Sequence, residues 1–347
     1  MKTLRLLNYE RDRWTAGDSA IEIPSAIDGS TVATTGSGGL DFGQMLRHAR
    51  EVGSPALRKL TFHERARMIK ALGLAIMARK EELYELNYQT GATRKDGWID
   101  IEGGAGTLFS FSSKGRRELP DAHVLLDGQL EPLSKNGTFV GQHIYTSLQG
   151  AAVHINAFNF PVWGMLEKLA PTLLAGVPAI VKPASATAYL TEAAFRIMID
   201  AKVLPEGAIQ LIVGSVGDLF DHLTGQDIVS FTGSASTALK LRAHPTVIRE
   251  SVRFVAEQDS LNASLLGPDA APGTPEFDLF VNEVATEMTV KAGQKCTAIR
   301  RAMAPAEYLD AVQQALSERL AKTKVGDPRA EDTRMGALVS TSQRDDV

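Results

Sequence analysis

The 347-residue sequence predicts an α/β protein built on a parallel sheet covered on both faces, and three observations carry the prediction. Short apolar runs at 151–155, 178–181, 209–213 and 228–231 alternate with helix-like segments such as 188–201, the pattern of a buried parallel sheet. Unusual residues follow those runs: Asn159 after the first, Lys182 after the second, Gly214 after the third, Gly233 and Ser234 after the fourth. Ligands on such sheets sit at the carboxyl ends of the strands, so the coincidence places a site there. The third observation is a hairpin between 127 and 147, where polar–apolar alternation flanks Ser134-Lys135-Asn136-Gly137 and Asn-Gly supplies the turn.

The elements before the sheet are helical after an irregular start. Thr61 and Glu64 are spaced as a capping box, which satisfies the first free amides of a helix reciprocally. Met68, Leu72, Ile76, Leu83 and Leu86 then recur at helical spacing until Gly91 stops the run. A chain this long predicts two domains, read as 1–255, with the hairpin at about 125–148 protruding, and 256–347.

Composition narrows the function classes. Apolar residues make up 44% and charged residues 22%, the balance of an ordinary globular enzyme, and a net charge of −4 predicts neither nucleic acid nor an anionic membrane as partner. A single cysteine excludes an internal disulfide framework and predicts a reducing, cytoplasmic setting. The first fourteen residues are too charged for a signal h-region, and the most apolar stretch, 169–181, is too short to span a bilayer and holds two prolines. No residue cluster is spaced to hold a metal.

Cys296, in Gly293-Gln294-Lys295-Cys296, follows a helical run and precedes a strand-like segment, so its sulfur lies at a junction. Such a position can expose and orient a thiolate nucleophile; taken alone, a buried structural cysteine is the commoner arrangement. Glu257 directly follows apolar residues, and partial desolvation there raises a carboxylate's pKa toward that of a general base. Asp259, two residues on, competes with it for that role. Asn159, between Phe158 and Phe160, is placed to donate to a developing oxyanion, or else to bond its own turn. Thr232-Gly233-Ser234 follows a strand and opens a helix whose amides attract phosphate, whereas Gly214-Ser215-Val216-Gly217 is only half of a dinucleotide fingerprint.

Together, Asn159-Phe160-Pro161, Lys182-Pro183-Ala184-Ser185, Phe231-Thr232-Gly233-Ser234 and Gly293-Gln294-Lys295-Cys296 resemble, in order and spacing, the aldehyde dehydrogenase superfamily. Thr90 to Arg94, His154 to Pro161, Asp259 to Asn262 and Gly293 to Arg301 are similar to a narrower branch. It comprises the dehydrogenase part of bifunctional phenylacetate-degradation proteins and the semialdehyde dehydrogenases of aerobic benzoyl-CoA degradation.

The resemblance implies a Rossmann-type cofactor domain, an α/β catalytic domain and a hairpin that serves oligomerisation. It implies oxidation of a CoA-linked semialdehyde, of the 3-oxo-5,6-dehydrosuberyl or 3,4-dehydroadipyl type, to its acid. Cys296 would be the nucleophile, Asn159 and the Cys296 amide the oxyanion donors, and Glu257 the base, with Glu167 ranked below it. Lys182, Ser185, Gly214, Phe231, Gly233 and Ser234 would bind the cofactor. NAD-selective members commonly carry a glutamate where this chain has Ser185, and a carboxylate would repel a 2′-phosphate, so NADP is the expected cofactor, with NAD as the other choice.

The superfamily's glutamate-phenylalanine-glycine-proline segment and later strands have no counterpart here, so the chain reads as a fragment of a longer parent, with its catalytic domain incomplete, or as a truncated product. The parent is expected to be a homo-oligomer. Transfer of the acyl group to CoA instead of water is disfavoured by Glu257, since thiolysis needs no water-activating base. An inactive cofactor-binding or assembly module is a further alternative, distinguished by binding without turnover.

Overall fold

The computed structural model describes residues 2–18 and 20–345. The opening residues, read from the sequence as irregular, are strands: β1 (Leu4–Arg5), β2 (Asn8–Glu10), β3 (Arg13–Thr15), β4 (Ile21–Pro24) and β5 (Thr31–Thr35). Each is five residues or fewer, too short for a periodic signal, and β2 is specified by a partner 200 residues away, Tyr9 standing opposite Leu211. Helices α1 (Phe42–His48), α2 (Ser54–Arg58), α3 (Phe62–Ala78), α4 (Lys80–Asn87) and α5 (Arg94–Glu118) follow.

The Thr61 capping box forms: the Thr61 amide donates to Glu64 Oε2 at 2.8 Å, and the Glu64 amide to Thr61 Oγ1 at 3.2 Å. Gly91 adopts φ 81°, the left-handed conformation that ends the run. Strands β6 (Leu125–Pro132) and β7 (Val140–Tyr145) form the expected antiparallel hairpin around Gly137 at φ 69°.

Strands β8 (Ala152–Ile155), β9 (Ala179–Lys182), β10 (Ile209–Leu211), β11 (Ile228–Gly233) and β12 (Arg253–Gln258) alternate with α6 (Trp163–Leu174), α7 (Ala188–Asp200), α8 (Ala235–Arg242) and α9 (Pro245–Arg249). They pair in parallel in the order β12-β11-β8-β9-β10, and β2 and β3 extend that sheet antiparallel beyond β10. Side chains alternate across it: Val153, Ile180 and Ile212 pack with α1 residues Met45 and Leu46 on one face. Val181, Leu211 and Val213 pack with Leu72, Leu169 and Phe195 of α3, α6 and α7 on the other. The sheet is therefore apolar on both sides, as the continuous apolar runs require.

The register aligns the strand ends. Ile155 stands opposite Lys182 and Phe231, and Phe231 stands opposite Ala256, so the residues that follow open onto one edge. Beyond β12, the parallel pair β13 (Ala263–Leu265) and β14 (Arg301–Met303) flanks α10 (Pro275–Thr289), and α11 (Leu309–Leu320) packs on α10 through Phe277, Phe280, Val284 and Val312. Among the described residues, no helix is long and apolar enough to cross a membrane.

Candidate active site

Cys296 lies in the loop from α10 to β14, and the backbone reaches it through three successive left-handed residues, Lys291 (φ 51°), Ala292 (φ 52°) and Gly293 (φ 73°). Two of these are not glycine, and surrounding bonds hold the turn against that cost. Asp96 Oδ1 accepts the Lys291 amide at 3.1 Å, and the Lys291 carbonyl accepts Gln294 Nε2 at 2.9 Å. Asn262 donates to the carbonyls of Cys296 at 2.6 Å and Ala298 at 3.1 Å. Cys296 itself is exposed. Partial burial raises the pKa of its thiol, and the charge of Glu257 raises it further.

The structure thus brings Glu257 near enough for its charge to act on the Cys296 thiol, and the charge of Glu167 acts on it more weakly. Glu257, on β12 opposite Thr232, is exposed. The desolvation that the sequence predicts for it belongs instead to Glu167, because α6 packs against the sheet and carries that carboxylate inward. Burial raises the pKa of Glu167, while Lys168 and a 2.9 Å hydrogen bond from Trp163 Nε1 oppose the shift. Lys168 donates to Thr232 Oγ1 at 2.6 Å, and burial lowers its own pKa. Glu167, Lys168 and Glu257 line a cavity of about 680 Å³ together with apolar Phe111, Leu148 and Val255.

Asn159 sits between β8 and α6 and accepts the Phe160 amide at 3.1 Å through Oδ1. That bond is the turn-stabilising alternative read from the sequence, and it also fixes the side chain with Nδ2 unbonded to any described residue. Asp259 is not a second base beside Glu257: with φ 46° it turns away, and Oδ1 accepts the first amide of α8, Ala235, at 3.2 Å.

The residues expected to meet a cofactor line the ends of β9, β10 and β11. Lys182 is largely buried and its ammonium group has no ion-pair or hydrogen-bond partner among the described residues; burial lowers its pKa, a cost that an arriving phosphate would offset. Ser185 opens the turn that follows. Ser234 caps α8 by accepting the Thr237 amide. Phe231 is buried, and its ring would lie 2.7 Å from a Cβ at position 233, so a neighbouring side chain already demands glycine there. Gly214 is buried against Ser37, whose amide would lie 2.5 Å from an added Cβ, so close packing on the N-terminal segment requires that glycine too.

Sequence reasoning missed the support beneath these loops. Asp96 and Asp100, one turn apart on α5, are both buried. Asp100 Oδ1 accepts the Val162 and Trp163 amides at 3.1 and 2.8 Å, capping the segment that leads from Asn159 into α6. Buried Lys291 places Nζ 4.7 Å from the Phe160 ring centre and is drawn toward Asp100 and Asp96. The Thr93–Asp96 spacing of a second capping box was the available signal for Asp96.

A family model described as "Aldehyde dehydrogenase family" matches residues 14–347. A curated relative, 3,4-dehydroadipyl-CoA semialdehyde dehydrogenase of Aromatoleum evansii, is 45% identical over 344 residues, covering 98% of this chain and 66% of the relative. The chain thus spans slightly less than two thirds of that protein. Betaine aldehyde dehydrogenase from Staphylococcus aureus in complex with NAD+ superposes with TM-score 0.86 at 22% identity, over 99% of this chain and 66% of the other. An E. coli NADP dependent enzyme superposes with TM-score 0.84 at 22% identity, over 98% of this chain and 68% of the other. At these identities the superpositions establish the fold.

Proposed function

The chain belongs to the aldehyde dehydrogenase family, and from that membership we propose that it oxidises a CoA-linked semialdehyde to its carboxylic acid, with NADP preferred. The observation that carries the proposal is that an exposed thiol, Cys296, and an exposed carboxylate, Glu257 on β12, share one site in which the Glu257 charge acts on the thiol.

Cys296 gives its proton to solvent and attacks the aldehyde carbon as the thiolate, while the carbonyl oxygen takes the electron pair. Asn159 Nδ2 and the Cys296 amide stabilise that oxyanion. NADP held at Lys182 and Ser185 would accept the hydride whose loss from the adduct leaves a thioester on Cys296. Glu257, exposed and able to meet water, then takes the proton of the water that releases the acid and frees Cys296.

Residues 1–255 supply the sheet edge for the cofactor and 256–347 the thiol loop. The partnerless Lys182 and the neutral Ser185 suit a 2′-phosphate, whose binding would form a charge-assisted bond; a carboxylate at 185 would oppose it. The name of the Aromatoleum relative favours a 3,4-dehydroadipyl-type acyl chain over the longer 3-oxo-5,6-dehydrosuberyl type of phenylacetate degradation. Exposed Leu126, Leu130, Phe139 and Ile144 support a subunit contact through the hairpin in a homo-oligomer.

The test is NADPH formation from a medium-chain aldehyde by the purified chain beside its Cys296→Ala variant. Turnover lost with the thiol supports the proposal; equal turnover in the variant refutes it. A higher kcat/KM with NAD than with NADP would overturn the reading of Ser185.

A further inference from the structure

A cleft of about 280 Å³ opens between α10, α11 and the 323–334 segment, lined by Thr286, Thr289, Arg319, Lys322, Thr323 and Arg334. Three cations and three hydroxyls meet there with no carboxylate in the lining, on a chain whose net charge is −4. Three of the acids on the same elements are engaged elsewhere: Glu287 with Lys295, Glu318 with Gln314, and Asp332 with Lys324. Arg319 and Lys322 have no ion-pair partner among the described residues. Arg334 is steered by buried Asp96, 3.6 Å from Nη1, yet that nitrogen is buried without a hydrogen-bond acceptor. The Thr289 hydroxyl donates to the Ala285 and Thr286 carbonyls, which leaves the hydroxyls of Thr286 and Thr323 as further donors toward the cleft.

Unpaired guanidinium and ammonium groups beside hydroxyls are the chemistry of a phosphate site, because arginine's planar fork matches phosphate oxygens in pairs. The cleft is separate from the strand edge that carries Lys182 and Ser185. It also adjoins the thiol loop: Thr289 ends α10, two residues before Lys291 begins the left-handed turn to Cys296. The phosphates of a CoA thioester sit at the far end of a long arm from the reacting carbon. A site beside the thiol loop, yet outside the reacting groups, is where that arm would deliver them.

We propose that this cleft binds the phosphate-bearing nucleotide end of the CoA-linked substrate; the choice of occupant rests on the CoA-semialdehyde reading above. Titration calorimetry on the full chain, with NADP saturating so that CoA does not occupy the strand-edge site, tests it. CoA is expected to bind more tightly than dephospho-CoA, and both more tightly than pantetheine. Arg319→Gln with Lys322→Gln, at two exposed positions, is expected to weaken CoA binding by about tenfold or more, with the unfolding midpoint unmoved.

Equal CoA affinity in the variant overturns the proposal, as does CoA binding no better than pantetheine. Inorganic phosphate binding as tightly as CoA would overturn the nucleotide assignment in favour of free phosphate. These titrations involve neither aldehyde nor Cys296 chemistry. Their failure would leave the dehydrogenase reading standing, and absent turnover with intact CoA binding would remove that reading alone.

Discussion

Asn262 donates its side-chain amide to the carbonyl of Cys296 at 2.6 Å, so a residue 34 positions away in sequence sets the backbone on which the nucleophile is carried. The same amide also meets the Ala298 carbonyl, and the Asn262 carbonyl accepts the Arg300 amide at 2.9 Å. The thiol loop is thereby tied to the strand segment that follows Glu257. Replacing Asn262 with Ala leaves the two carbonyls without that donor, and a slowing of aldehyde oxidation by about tenfold is expected with substrate affinity little changed. Steady-state kinetics check it: a change confined to KM would show that Asn262 does not position Cys296.

Glu257 has opposite effects on two steps, and Glu257→Gln separates them. Partial burial raises the Cys296 pKa first and the negative charge of Glu257 raises it further, so removing the charge lowers it. With more thiolate at neutral pH, iodoacetamide should alkylate the variant faster than the wild type, while turnover falls because no base activates water. The pH dependence of alkylation reads the first effect cleanly, since Cys296 is the only cysteine. An unchanged alkylation profile would mean that the Glu257 charge does not control the thiol.

Burial raises the Asp100 pKa from 3.8 to about 6, although the charge of Lys291 and the Val162 and Trp163 amides pull it down. The folded state therefore holds a proton that the unfolded chain has lost across this interval. The resulting stabilisation is complete below about pH 4 and disappears as pH rises through about 6. Urea midpoints measured across that window should fall with rising pH, and Asp100→Asn should flatten this component of the slope. A slope as steep in the variant would assign the titration to another group.

Gly104 faces the start of α6, where an added Cβ would lie 2.9 Å from the Trp163 Cα and 3.1 Å from its amide nitrogen. Both are backbone atoms, so the helix itself must move, and with it the Asp100 bonds beneath Asn159. Gly104→Ala should cost about 1–3 kcal/mol of stability by overpacking. Denaturant unfolding measures it, and a neutral result would show that α5 and α6 separate freely.

What the sequence disclosed follows from what is local. The β8 to β11 runs, the Thr61 capping box and the Asn136-Gly137 hairpin each carry their signal within a few residues, and each was readable. Cys296 and Glu257 were readable for a different reason, as a resemblance across several motifs, and the action of the Glu257 charge on the thiol belongs to the folded chain alone. The N-terminal strands escaped because their pairing partners lie far along the chain, as Tyr9 with Leu211 shows. Asp96 and Asp100 escaped because acidic residues within a helix ordinarily face water, and only the approach of α6 and the Lys291 turn buries them. Desolvation was assigned to Glu257 from its apolar neighbours in sequence, whereas α6 decides that Glu167 is the more buried acid.

The central claim is that Cys296 carries the acyl group. Its most direct test is the intact mass, with peptide mapping, of the Glu257→Gln variant mixed with aldehyde and NADP. Without the base, the thioester should outlive its formation, so the account predicts an added acyl mass located on Cys296 that appears only when NADP is present. An acyl adduct on any other residue, or turnover that survives Cys296→Ala, would contradict it.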